Sequence, residues 1–67
     1  MVEILGALVP AAAALAGRGL LVSFTVTRDA RSVRLSALID REWVEWYATE
    51  PDEAEDLSAG IIAALNS

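Results

Sequence analysis

Val22-Ser23-Phe24-Thr25-Val26 and, beyond the turn Arg28-Asp29-Ala30-Arg31, Ser32-Val33-Arg34-Leu35-Ser36-Ala37-Leu38-Ile39 decide the fold of this chain. In the first run Val22, Phe24 and Val26 alternate with Ser23, Thr25 and Thr27; in the second Val33, Leu35, Ala37 and Ile39 alternate with Ser32, Arg34, Ser36 and Leu38. A period of two in runs rich in β-branched residues marks half-buried strands. After a second turn at Asp40-Arg41, a third strand sets Val44, Trp46 and Ala48 against Trp43, Glu45 and Tyr47, with the uncharged even set inward. Two-residue loops at 29–30 and 40–41 then fix the register, pairing Val26 with Val33, Phe24 with Leu35 and Leu35 with Trp46. On the opposite face the same register gives the rows Leu21/Leu38/Trp43, Ser23/Ser36/Glu45 and Thr25/Arg34/Tyr47.

The segments on either side are helical. Residues 1–17 hold one charge, Glu3. On a helical wheel Val2, Ile4, Leu5, Leu8, Val9, Ala12 and Leu15 fill one arc, while Gly6, Ala7, Pro10, Ala11, Ala14 and Gly17 fill the other. The large arc asks for a core; the small one lets another backbone come close, which makes Gly6, Ala7 and Ala14 candidate helix-contact residues. Pro10 either kinks this helix or divides it in two, and Gly17-Arg18-Gly19 ends it. The last helix starts with Thr49 as its expected N-cap, Pro51 in the first turn and acidic side chains from Glu50 to Asp56 at its positive end. Its apolar stripe is Ala54, Leu57, Ile61, Ala64 and Leu65. The expectation is therefore one α+β domain over residues 1–67, ordered α-β-β-β-α, a three-stranded antiparallel meander with both helices on one face. Leu35, Trp46, Phe24, Val33, Ile61 and Leu57 are its expected core.

Composition narrows the chemistry. A chain of 67 residues buries only about 60% of the surface its unfolded form exposes, so partners are a natural source of stability. Cysteine and histidine are absent, which removes disulfides, thiolate chemistry and the usual zinc sites. All five basic residues are arginine and alanine is abundant, a usage that suggests a GC-rich coding sequence. The net charge of −5 opposes attachment to phosphate backbones or anionic lipid. The apolar run from Ile4 to Ala16 follows an acid rather than a basic segment and is about a third short of a membrane-spanning helix. The expected location is cytoplasmic, with no membrane partner.

No catalytic constellation emerges. Ser23, Ser36 and Thr25 have no histidine or lysine to activate them, and the glycines at 17 and 19 precede a strand instead of opening a phosphate-binding helix. The acidic run from Glu50 to Asp56 is explained by the helix dipole and lacks the ligand alternation of a calcium loop. No cofactor, metal or catalytic residue is expected. What remains is surface: a row of leucine, leucine and tryptophan on an open sheet face favours association. Leu21, Arg34, Leu38, Trp43, Glu45 and Tyr47 are accordingly the candidate interaction residues. Arg34 beside Tyr47 and Trp43, with a basic hairpin tip at Arg28 and Arg31, gives an alternative nucleic-acid platform, against which Glu45 and the net charge both weigh.

The stretch Glu42-Trp43-Val44-Glu45-Trp46-Tyr47-Ala48-Thr49-Glu50-Pro51-Asp52-Glu53-Ala54, continuing through Leu65, resembles a tryptophan-bearing strand leading into a Thr-Pro-Glu-Glu-Ala-type capped helix, found in small uncharacterised proteins of actinobacteria and their phages. The resemblance covers the C-terminal third of the chain, with one residue inserted between Thr49 and Pro51. It implies a small intracellular accessory protein and no activity. The functional expectation is a self-associating, non-catalytic protein-interaction module, an accessory or host-modulating factor of a phage or actinobacterium that forms homo-oligomers and binds another protein. The alternatives are a nucleic-acid-binding module and a purely structural oligomer subunit.

Overall fold

The computed structural model describes residues 2–29 and 31–67; Ala30, and with it half of the first expected loop, lies outside the described residues. The elements are α1 (Val2–Gly17), β1 (Val22–Val26), β2 (Val33–Ile39), β3 (Glu42–Ala48) and α2 (Pro51–Leu65). The strands form an antiparallel sheet in the order β1-β2-β3. Both helices pack on the face that carries Leu35, so the architecture is the expected small α+β domain.

The register is the one that side-chain alternation dictates. Val26 pairs with Val33 and Phe24 with Leu35, while Leu35 pairs with Trp46 and Leu38 with Trp43. The β2–β3 turn achieves this with left-handed backbone at two non-glycine residues, Asp40 (φ 51°) and Arg41 (φ 69°). Positive φ at both central residues is the turn whose twist matches that of the flanking strands. Asp40 tolerates it; Arg41, with a full side chain, is strained there.

At the start of α2 the cap differs from the expectation. Pro51 has no N–H and a fixed φ, so it occupies the first helical position and the cap falls to Glu50, held extended at φ −137°, ψ 151° as a residue before proline prefers. Thr49 lies one residue outside. Its N–H donates to Glu53 Oε1 at 2.7 Å, so the carboxylate reaches back over the first turn in a capping-box manner displaced by one residue.

α1 runs unbroken through Pro10. Its buried stripe is Ile4, Leu8, Ala11 and Leu15, rotated toward the small arc relative to the expected face. Val2 and Val9 lie exposed. The reason is α2, whose buried residues Ala54, Ser58 and Ile61 meet α1 through Ala11, and the Ala11 N–H donates to Ser58 Oγ at 3.1 Å in the buried crossing. The small arc thus admits a neighbouring helix closely, and that helix belongs to the same chain. A second link joins the far ends, where the Arg18 guanidinium donates to the Leu65 carbonyl. Ala11 with Ser58 and Arg18 with Leu65 are the same 47 residues apart, so the helices run in the same direction, as three intervening strands require. Their dipoles are parallel, and Arg18 sits where both negative ends converge.

Leu8, Leu15, Leu35 and Val33 are the largest fully buried side chains. Ile61 is buried as expected, and Trp46 and Leu57 pack partly against the core. Phe24, expected in the core, is 39% exposed, and Val26 and Val44 on the same face are exposed as well. The physical cause is width. α1 lies over β2 and α2 against β3, where Ala48 is buried and Trp46 packs against the core, so the helix layer stops short of the β1 margin; of β1, only Val22 packs against the core.

Candidate interaction surfaces

Three surfaces follow from this arrangement: the open sheet face, a cleft between α2 and β3, and the uncovered margin of β1.

On the open face, Leu38 on the central strand is half-buried, whereas Leu21 and Trp43 beside it are 64% and 54% exposed. Leu21 falls just outside β1, yet its carbonyl accepts the Leu38 N–H at 3.0 Å, so the expected row is in place. Among the described residues, no element folds over it. Farther along, Arg34 Nη1 meets Glu45 Oε2 at 3.3 Å and Arg34 Nη2 donates to Thr25 Oγ1 at 3.2 Å. The Tyr47 hydroxyl donates to the same Glu45 oxygen at 2.7 Å. Glu45 thus binds both members of the supposed cation–π pair. Ser36, Arg34, Trp43, Glu45 and Ser23 line a shallow depression of about 300 Å³, and Arg34 Nε is buried there with no hydrogen-bond partner.

The basic hairpin tip is balanced in the same way. Arg31 Nε lies 3.7 Å from Asp29 Oδ2, and Asp29 Oδ1 accepts from the Thr27 hydroxyl at 2.8 Å and the Arg31 N–H at 3.2 Å. These two bonds, the Thr27 hydroxyl first, hold the Asp29 carboxyl below the usual carboxylate range.

The candidate helix-contact residues divide. Ala7 packs against the core and Ala14 is half-buried, on the flank of α1 nearest α2, while Gly6 lies exposed on the outer side. The cleft was not anticipated. Trp46 and Ile39 line it from the sheet, Leu57, Gly60 and Ala64 from α2, and it encloses about 380 Å³. Ser58 was missed because serine does not register in an apolar stripe; its spacing from Ala54 and Ile61, facing the small arc of α1, is the signal that could have found it.

Among the described residues, no helix is long and apolar enough to cross a membrane. No protein family, curated protein or solved structure matches the chain.

Proposed function

We propose that this chain is a small, non-catalytic protein-interaction module that assembles with copies of itself and offers its open sheet face to a protein partner. One observation carries the reading: Leu21, Trp43 and Tyr47 are each more than half exposed on a face whose two charges, Arg34 and Glu45, neutralise each other. Exposed aromatic side chains around a neutral centre favour contact with another protein surface. In a chain of net charge −5, that face also spares an acidic partner the repulsion it would meet elsewhere. The alternative nucleic-acid platform loses support, since both Arg34 and Arg31 are engaged by carboxylates.

Sedimentation velocity from micromolar to millimolar protein at low and high salt tests the proposal. At least a dimer is expected at micromolar concentration, little changed by salt; a single monomeric species throughout rejects it. Salt-sensitive binding of a single-stranded oligonucleotide that is abolished by Arg34→Ala would instead establish the alternative.

A further inference from the structure

We propose that self-assembly occurs by pairing of the β1 edge with the same edge of a second copy, antiparallel and centred on Phe24, to give a continuous six-stranded sheet. This rests on the self-association proposed above and names the surface and the register.

The backbone supplies the first argument. Thr27 N–H donates to the Ser32 carbonyl and Leu38 N–H to the Leu21 carbonyl, both at 3.0 Å. Bonded pairs in an antiparallel ladder recur at every second residue, so Ser23 and Thr25 also face β2. Val22, Phe24 and Val26 therefore turn their N–H and C=O groups outward at the sheet edge, where β1 has no neighbour. An unpaired row of this kind is a template for a further strand.

The side chains say which strand. Val22 to Val26 carries no charge, proline or glycine, so the edge has none of the usual protection against pairing. The segment is also near-symmetric about Phe24, with a hydroxyl residue on each side and a valine beyond each. Centring two copies on Phe24 places Val22 opposite the second copy's Val26, Ser23 opposite its Thr25 and Phe24 opposite its Phe24. All three outward-facing residues then become bonded pairs, giving six new backbone hydrogen bonds. Phe24 and Val26, exposed on the helix side because α1 does not extend over them, come together across the seam. On the helical wheel, exposed Val9 and Val2 follow Leu5 and Ala12 round α1 away from α2, onto this same side.

The other edge does not serve. By the same alternation β3 turns Trp43, Glu45 and Tyr47 outward, so pairing it with itself about its centre sets Glu45 against Glu45, and like charges directly opposite one another repel. Joining β1 to β3 of another copy, in either direction, forms an open chain of molecules rather than a closed dimer, and when antiparallel it also aligns helix-side residues with open-face residues. Of the two self-pairings, which both close with all helices on one side, only the β1 pair avoids setting like charges against each other.

The chain has no cysteine, so a single introduced one reports on the register. Opposed residues of a bonded pair have Cα atoms about 5.5 Å apart, within disulfide reach. Oxidised Phe24→Cys is expected to form a covalent dimer. Val22→Cys or Val26→Cys alone is expected not to, since each lies about 13 Å along the strand from its own copy, whereas a mixture of the two should cross-link. Phe24→Lys, keeping the native circular dichroism spectrum, is expected to raise the dimer dissociation constant about 30-fold or more by removing the aromatic pair and apposing two ammonium groups. If the wild type associates but neither Phe24→Cys nor the mixture cross-links, the β1 register is overturned and self-association stands. If the wild type is monomeric, both fall together.

Discussion

Replacing Ser58 with alanine removes one oxygen from the buried crossing of the two helices. Ser58 is 4% exposed, and its Oγ accepts the Ala11 N–H at 3.1 Å. Pro10 lies immediately before that donor; its ring removes the hydrogen bond to the Gly6 carbonyl and displaces that carbonyl, loosening the turn in which the Ala11 N–H sits. The Ser58 hydroxyl gives that N–H an acceptor on α2. The volume lost in Ser58→Ala is too small for a cavity term, so the cost is that of a buried N–H left without this acceptor, about 1–2 kcal/mol. Urea unfolding followed by circular dichroism measures it, with an unchanged m-value as evidence that only stability has moved. The decisive test is the double-mutant cycle with Pro10→Ala. Alanine at position 10 restores the donor to the Gly6 carbonyl and tightens the turn, so the Ala11 N–H is expected to depend less on Ser58 and Ser58→Ala to become nearly neutral. A coupling of about 1 kcal/mol is expected. A cost for Ser58→Ala that is identical in both backgrounds would refute the link between Pro10 and Ser58.

Two further outcomes follow from backbone strain and from the width of the helix layer. Arg41→Gly relieves a left-handed residue at the β2–β3 turn and should stabilise the fold by about 0.5–1 kcal/mol after the greater freedom of glycine in the unfolded chain is counted; a lower unfolding midpoint would mean that Arg41 makes a compensating contact. Leu35→Ala, at a fully buried position on the central strand, should cost about 2–5 kcal/mol. Phe24→Ala should cost clearly less in the monomer, measured at protein concentrations below the association range, and the reverse order in thermal melts would contradict the uncovered margin of β1.

How much of this was legible in the sequence depends on which force set each feature. The register of both hairpins was legible because each strand has one face that must be buried, and a slip of one residue would turn Leu35 and Val33 to solvent. The open-face rows followed from the same alternation. Alternation says which side a residue faces and nothing about how far the covering layer reaches, so Phe24 was placed in a core that takes only Val22 from β1. The helix crossing was half legible. A small-residue arc on α1 signalled close approach, but the identity of the approaching helix rested on Ser58, whose contribution is a hydrogen bond and not apolar area. The pairing of Arg34 and Tyr47 through Glu45 is a choice among neighbours in space that linear spacing leaves open, and the cap at Glu50 turned on one missing N–H at Pro51.

The common direction of the two helices also governs how the chain could be rejoined. Because α1 and α2 point the same way, Val2 and Leu65 lie at opposite ends of the helix layer, separated by about the length of the 16-residue α1, roughly 24 Å at 1.5 Å per residue. A circular permutant of this domain therefore needs a bridge of about eight extended residues between the old ends, whereas an antiparallel helix pair would close with a short turn. A new opening at the Arg28–Asp29 hairpin tip would cut no strand pairing, so such a permutant would keep the sheet while giving the two helices a covalent link that the natural order of the chain does not provide.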